Sequence, residues 1–218
     1  MKKELNLMNM VHDMQYIVEE TAVHQILYCL APPFEGMHVL EAGFGSGKFS
    51  TGYAMKGARV TGIDIDPQAM EYARRVASAL KILSAGSNYM WKVPNFLQED
   101  VHKIRFPDNF FDLVFNEGVP QHFPQDEERQ LILNEMTRVC KQGGKVIVIG
   151  NDGDNPAEAL NDKSVKFTYE GMGPQRRCFT REELMSKLSA SGLVGVRIFD
   201  RSGILEQMSL ILGYGTKK

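Results

Sequence analysis

Three glycines at positions 43, 45 and 47 follow the apolar stretch "MHVLEA" and leave a short length of backbone without side chains. Glu41 stands just before them, and Asp64 comes about 20 positions later, at the end of a second apolar stretch, "ARVTGID". Glycine lets a ligand approach the backbone closely. A carboxylate at that distance can accept hydrogen bonds from both ribose hydroxyls. The pattern indicates a site for a nucleotide or nucleoside.

The residues around the glycines disfavour a phosphate. A phosphate-binding P-loop requires another glycine where Ala42 stands and a hydroxyl residue where Phe49 stands. A dinucleotide fingerprint requires glycine where Lys48 stands, which weakens the interpretation as a nicotinamide-dependent oxidoreductase. Glu41 would repel a pyrophosphate but not a cationic amino-acid group. S-adenosylmethionine, a ribonucleoside with a cationic tail and no phosphate, fits these requirements.

Four ordered blocks carry a family resemblance. They are "EAGFGSG", "VTGIDIDPQAMEYAR", "QEDVHKIRFPDNFFDLVF" and "NEMTRVCKQGGKVIVI". Over roughly residues 37–212 the chain resembles class I S-adenosylmethionine-dependent methyltransferases. Gln142, where the family usually has proline before a glycine pair, is a small departure that affects a turn.

Strand and helix patterns alternate along the chain, which predicts an open, mostly parallel sheet with helices on both faces. The resemblance implies the doubly wound α/β fold with seven strands in the order 3-2-1-4-5-7-6, the last one antiparallel. We expect a single domain, in which Gly143 and Gly144 end a helix. Its parts are an N-terminal helical cap (1–31), a cofactor-binding half (37–150), an insertion or lid (151–179), and a C-terminal helix with two strands (180–218).

The resemblance also implies roles for residues that bind the cofactor. Glu41 would orient the glycine loop, and Asp64 would bind the ribose. Asp100 would accept a hydrogen bond from the adenine amino group. The other implied contacts are the backbone of Gly43, Phe44, Gly45 and Gly47 with the methionine part, Ile65 on the adenine face, Val101 beside it, and Asn116 with the methionine part by backbone or side chain.

The stretch "NEGVPQHF" lies where substrates of the family enter. A general base is needed there only if the acceptor must lose a proton. His122 is the first candidate and Glu117 the second, with a packing role as the alternative for each. His12, Tyr16 and His24 are interpreted as amphipathic-helix residues, with a roof over the site as the alternative. Arg176 and Arg177 are interpreted as solvated residues, with an acidic substrate as the alternative partner.

Composition restricts the class of partner. The formal net charge of −2 disfavours nucleic acids and anionic membranes, and the stretch "NEGV" lacks the proline pair typical of methyltransferases that act on nucleic-acid amines. The three cysteines form no C-x-x-C pair, so we expect no metal site and a cytoplasmic location. As to assembly, we expect a monomer or homodimer. A small-molecule acceptor is the first hypothesis, with S-adenosylhomocysteine as the product. A protein or peptide acceptor, or a protein that binds S-adenosylmethionine without catalysis, are the alternatives.

Overall fold

The computed structural model describes residues 7–85, 91–154, 177–199 and 210–218. The chain divides into two compact units, Met1–Asp100 and Val101–Lys218. Whether the whole chain acts as one domain stays a prediction. Most of the expected insertion or lid, residues 155–176, lies outside the described residues.

The first unit contains three parallel strands, β1 (His38–Ala42), β2 (Arg59–Asp64) and β3 (Asn95–Gln98). β1 pairs with β2, and β2 pairs with β3. β1 is buried from its second residue to its last, as expected of a parallel strand with both faces covered. The carboxyl ends of β1 and β2 therefore lie side by side and bring their following loops together.

The described residues of this unit also form four helices: α1 (Leu7–Glu19), α2 (Ala22–Leu30), α3 (Lys48–Met55) and α4 (Pro67–Leu83). The N-terminal region was expected to be helical over 1–31, but the helix is interrupted at Glu20, whose φ of 49° is left-handed, and α2 restarts after Thr21. Asp66, directly before Pro67, is the N-cap of α4, and its side chain accepts from the backbone N–H of Gln68 at 2.8 Å.

The predicted apolar face of α4 packs into the core of the first unit. Ala73 and Ala77 are fully buried against Phe44 and Phe96, whose ring centroids lie 4.7 Å apart. The core thus reaches directly under the loop that follows β1, because Phe44 belongs to that loop.

In the second unit, strands and helices again follow one another along the chain. Its strand β4 (Phe111–Glu117) pairs in parallel with β5 (Cys140–Asn151), and β7 (Leu210–Lys217) pairs antiparallel with β5 and with β6 (Leu193–Ile198). Its helices are the 3₁₀ turn Pro120–His122, α5 (Asp126–Val139) and α6 (Arg181–Ala190). Thr180 is the N-cap of α6, and its Oγ1 accepts from Glu183 N at 3.1 Å.

The expectation that Gly143 and Gly144 end a helix is wrong. α5 ends at Val139, and both glycines lie within β5, where the pairing register with β4 shifts. A Cβ on Gly144 would lie 2.8 Å from Cys140 Sγ, and Gly143 has a left-handed φ of 75°. The glycines therefore allow an irregular, bulged start of the strand.

The seven strands form one sheet in the order β3-β2-β1-β4-β5-β7-β6. This order and the antiparallel β7 confirm the predicted fold class.

Candidate functional site

Backbone hydrogen bonds fix the conformation of the loop after β1. Gly43 N donates to Ile63 O at 2.7 Å, and Gly47 N donates to Phe44 O at 2.7 Å. Gly43, Gly45 and Gly47 all have positive φ, at 80°, 51° and 73°. Non-glycine residues adopt such angles only at a cost. The glycine pattern thus reflects a real conformational requirement.

The glycines of this loop have different surroundings. A Cβ on Gly45 would meet no atom within 4 Å, so its missing side chain leaves open space beside the backbone. A Cβ on Gly47 would lie 2.7 Å from Phe96 Cζ and 2.8 Å from Ala73 Cβ. Gly47 is therefore required by packing under the loop, whereas Gly45 faces space that a ligand could fill.

Phe44 contributes only backbone to the open side of the loop. Its side chain is buried with 3% exposure and packs on Phe96. The expectation that Phe44 would offer backbone to a ligand is compatible with this placement.

Glu41 acts on the far end of the loop. Its carboxylate is buried and accepts from both Ser50 N (2.8 Å) and Ser50 Oγ (2.5 Å). Ser50 lies in the first turn of α3, where backbone N–H groups lack helical partners and the helix dipole favours a negative charge. Glu41 therefore caps α3 from β1 and joins the two ends of the loop between them; its role in orienting the loop for a ligand stays a prediction.

Asp64, the last residue of β2, lies against the glycine loop. Its Oδ2 accepts from Gly45 N at 2.9 Å and its Oδ1 accepts from Asp66 N at 3.0 Å. Burial raises the pKa of Asp64, and the backbone hydrogen bonds from Asp66 and Gly45 oppose that effect. A carboxylate has about four acceptor positions, so capacity remains for hydroxyl donors.

The residues after β2 and β3 extend the first unit's edge. The Ile65 side chain, directly after β2, is 52% exposed. Its carbonyl accepts from Gln98 Nε2 at 3.2 Å, which joins the ends of the two strands. Asp100 is exposed at the end of this unit, and Val101, the first residue of the second unit, is buried.

In the second unit, the Asn116 side chain packs against α5. It is fully buried, its Nδ2 lies 3.2 Å from Met136 Sδ, and its Oδ1 accepts no hydrogen bond from the described residues. Of the two predicted modes of contact, by backbone or by side chain, this placement favours the backbone.

Glu117 and His122 flank the turn that follows β4. Glu117 is the last residue of the strand, and His122 ends the 3₁₀ turn, half-buried. Between them, Gln121 is buried, and its Oε1 accepts from Asn151 N at 2.8 Å. No local sequence pattern distinguishes Gln121 as a residue that joins the ends of β4 and β5.

The side chain of Arg177 is engaged by the protein. Its guanidinium pairs with Asp126, with Glu183 at 3.2 Å, and with the carbonyl of Pro124 at 3.1 Å, while its backbone N–H donates to Gln121 O at 2.8 Å. Arg177 is exposed, as expected, and it also holds the turn that carries His122 through its bond to Gln121 O. Arg176 lies outside the described residues.

A buried arginine, also missed in the sequence, supports the same region. Arg129 is fully buried, its Nη1 lies 2.9 Å from Glu183 Oε1, and its guanidinium carbon lies 3.7 Å from the centroid of Phe179. Its partners come from distant parts of the chain, so no local pattern could have predicted the pair.

His24 does not line an open surface. It is fully buried between α2 and α3, its Nδ1 lies 2.9 Å from Thr21 Oγ1, and its ring centroid lies 4.6 Å from that of Phe49. Burial lowers the pKa of His24 to about 4. His12 and Tyr16 are exposed on α1, with ring centroids 4.6 Å apart.

A family model described as a methyltransferase domain matches residues 40–148, which is half of the chain. The chain belongs to this methyltransferase family. The matched region begins within β1 and ends within β5, so it includes the glycine loop, Asp64 and the turn after β4.

Curated relatives match a similar length of sequence. The chain is 31% identical over 118 residues to an uncharacterized methyltransferase of Mycobacterium leprae, a match that covers 54% of this chain and 38% of the relative. It is 32% identical over 116 residues to a phosphatidylethanolamine N-methyltransferase of Cereibacter sphaeroides, covering 53% and 51%. These matches span about half or less of each relative's length.

Solved structures share the fold of this methyltransferase. A S-adenosylmethionine-dependent methyltransferase from Aquifex aeolicus superposes with a TM-score of 0.63 at 18% identity, over 99% of this chain and all of that one. At this identity the likeness concerns the fold alone.

The geometry fits the methyl donor of the family. Gly45 has open space beside its backbone, Asp64 keeps acceptor capacity, and Ile65 is exposed, so these residues could hold an amino acid, a ribose and a base. Among the described residues, no group of three or more His, Cys, Asp or Glu side chains could hold a metal ion. The helices of the described part are all too short or too polar to cross a bilayer.

Proposed function

We propose that the chain is a S-adenosylmethionine-dependent methyltransferase that moves a methyl group to a small-molecule acceptor by in-line displacement. The observation that carries this proposal is the joining of two features: the open backbone at Gly45, and the Asp64 carboxylate bonded to it. One binds the amino-acid part of the donor and the other its ribose. Family membership supports the proposal.

The bound donor supplies an electrophilic methyl group on a sulfonium, and the protein's task is to orient the reactants and exclude water. Gly43, Gly45 and Gly47 offer backbone to the methionine part, and Glu41 keeps the loop in place through Ser50. Asp64 accepts from the ribose hydroxyls. These hydrogen bonds form within the protein and fix the conformation of the loop.

The other predicted contacts concern the base and the methionine part. In our proposal, Ile65 packs on one face of the adenine, Val101 lies beside it, and Asp100 accepts from its amino group. The backbone of Asn116 contacts the methionine part, since its side chain faces Met136.

Proton removal is assigned to the turn after β4. His122 is the proposed base, with Glu117 as the second choice, for an acceptor whose nucleophile carries a proton. Gln121 and Arg177 hold the backbone on either side of His122. For an acceptor that is already deprotonated, neither side chain is needed as a base.

Two observations disfavour a nucleic-acid acceptor. The net charge of −2 offers no overall attraction for nucleic acid. The sequence "NEGV" after β4 also lacks the proline pair found in methyltransferases acting on nucleic-acid amines. The relative named as a phosphatidylethanolamine N-methyltransferase makes an amine on a lipid headgroup a specific acceptor to include in tests.

The test is an acceptor screen with methyl-labelled S-adenosylmethionine. The protein is incubated with a metabolite extract, with phosphatidylethanolamine vesicles and, separately, with a proteome extract, and the labelled products are identified by mass spectrometry. We expect label in a small molecule. Label in proteins alone would support the peptide alternative. Binding of the donor without label in any fraction would support the non-catalytic alternative.

A further inference from the structure

His24, on α2, contacts the start of α3, the helix that follows the glycine loop. Its Nε2 lies 3.4 Å from the carbonyl oxygen of Lys48, the first residue of α3. Its ring centroid lies 4.6 Å from that of Phe49, the next residue. Gly47, the last glycine of the loop, is the N-cap residue of this helix. His24 therefore packs against the residues that directly follow the loop proposed to bind the donor.

A glycine within α3 makes room for this contact. A Cβ on Gly52 would lie 2.9 Å from Cδ2 and 3.2 Å from Nε2 of His24. Farther along α3, Tyr53 Oη donates to the carbonyl oxygens of Leu27 and Ala31, each at 3.1 Å. The two helices are thus joined at both ends, and the imidazole lies at the end nearer to the glycine loop.

The start of α3 is joined to the glycine loop through backbone. Gly47 N donates to Phe44 O at 2.7 Å inside the loop, and Gly47 O accepts from Thr51 N at 2.9 Å inside the helix. A shift of the first turn of α3 therefore moves Gly47, and with it the backbone of Gly45. Through these bonds, a contact on α3 affects the loop that is proposed to bind the amino-acid part of the donor.

The ring of His24 is fully buried and uncharged at neutral pH. The tautomer with its proton on Nε2 donates to Lys48 O and accepts at Nδ1 from Thr21 Oγ1, 2.9 Å away. Burial is the largest of the causes that set the pKa of His24 at about 4. The hydrogen bond to Lys48 O opposes this effect, whereas the ammonium group of Lys48 adds to it. The titratable groups that face the ring are Glu20, Tyr28, Lys48 and Lys56.

We propose that His24 is a positioning residue for the glycine loop, which in its neutral form holds the first turn of α3 against α2 and on protonation releases it, so that donor binding weakens in mild acid. The inference rests on the proposed function. It assigns His24 a role in ligand affinity, although the residue contacts no part of the proposed donor.

The sign of the pH effect follows from the burial of the ring. In the released form water reaches the imidazole, which then has the ordinary histidine pKa of 6.5, so this form takes up a proton first as the pH falls. Between pH 7.5 and pH 5 the equilibrium should move toward the released form by up to about 30-fold. The apparent affinity for the donor falls with the fraction of protein in the docked form.

The experiment measures the dissociation constant of S-adenosylhomocysteine by calorimetry at pH 7.5 and pH 5. Glutamine keeps an amide donor near the position of Nε2 but does not titrate, so His24→Gln should retain the wild-type affinity at pH 7.5 within about twofold. His24→Ala lacks the donor and the packing, and should bind at least about fivefold more weakly at pH 7.5. A purely structural role predicts no such rescue by glutamine.

The pH profile supplies the second readout. From pH 7.5 to pH 5 the wild-type protein should lose at least about threefold more affinity than His24→Gln. Asp64, whose pKa is raised by burial, also titrates, but it does so in both proteins, so the difference between them isolates His24. His12→Gln, at an exposed histidine of α1, is the matched control and should keep the wild-type profile.

Amide hydrogen exchange of the wild-type protein tests the inference even if the His24 variants do not fold. After correction for intrinsic rates, the protection of α2 should fall at pH 5 relative to that of α4. Unchanged relative protection, equal pH profiles in the wild type and His24→Gln, or equal weakening by glutamine and alanine would each overturn the inference. So would a wild-type affinity in His24→Ala, or a flattened profile in the control. Failure of the wild type to bind S-adenosylhomocysteine at pH 7.5 would instead defeat the proposed function.

Discussion

The Asp64 carboxylate accepts a hydrogen bond from the backbone N–H of Gly45 at 2.9 Å. This bond joins the end of β2 to the loop after β1, so the residue proposed to bind ribose also shapes the backbone proposed to bind the amino acid. The two halves of the donor site are therefore coupled. A substitution at either residue should therefore alter the ligand contacts proposed for the other.

Gly45 and Gly47 provide a matched pair of substitutions. Gly45→Ala should lower the free energy of unfolding by only about 1 kcal/mol, the cost of a left-handed residue, but should weaken S-adenosylhomocysteine binding because its Cβ enters the open space. Gly47→Ala should cost several kcal/mol more, since its Cβ overlaps Phe96 and Ala73. Chemical denaturation and calorimetry measure the two effects. The reverse order of stabilities would show that the loop packs differently.

Glu41 and Ser50 should be energetically coupled. Glu41→Gln should lower the free energy of unfolding by about 1–3 kcal/mol, because the amide removes the charge that caps α3. A double-mutant cycle with Ser50→Ala, measured by urea denaturation, should give a coupling energy above about 0.5 kcal/mol. Additive effects of the two substitutions would argue against the cap.

His24 should make the protein less stable in mild acid. Its folded pKa, about 4, lies below the ordinary value of 6.5, so the unfolded chain takes up a proton first as the pH falls. The stability present above pH 6.5 should fall by about 2 kcal/mol between pH 7 and pH 5 from this residue alone. Denaturation series at several pH values should show a correspondingly smaller loss in His24→Gln. An identical pH dependence in the variant would contradict the assignment.

The local signals in the sequence predicted much of this structure. Asp66 before Pro67, and Thr180 three positions before Glu183, both lie at helix starts and make the expected cap bonds. Such caps involve neighbours in the chain, so sequence spacing contains the information. The family blocks supplied the strand order, which composition and periodicity alone leave open.

The roles that the sequence did not predict depend on contacts between distant residues. Gly47 was expected to admit a ligand, but its neighbours Phe96 and Ala73 also require a glycine there. Gly143 follows a helix pattern by position, yet the strand pairing of β5 decides its conformation. The partners of Arg177 likewise come from segments far apart in the chain.

His122→Ala should slow turnover and leave donor affinity unchanged, because we place this side chain on the acceptor side. With an acceptor from the labelling screen, the rate should also lose the part of its pH profile that reports the base. Steady-state kinetics and calorimetry on the same preparation measure both. Glu117→Gln is the comparison, and an unaltered rate in His122→Ala would return that histidine to a packing role.

The measurement that tests the central claim most directly is a calorimetric titration of S-adenosylhomocysteine into the wild-type protein and Asp64→Ala. Asp66→Ala serves as the control, since Asp66 caps α4 and is assigned no ligand contact. We predict binding on the order of micromolar in the wild type and in the control, and at least about tenfold weaker binding in Asp64→Ala. Equal affinity in all three proteins, or no binding to the wild type, would contradict the account.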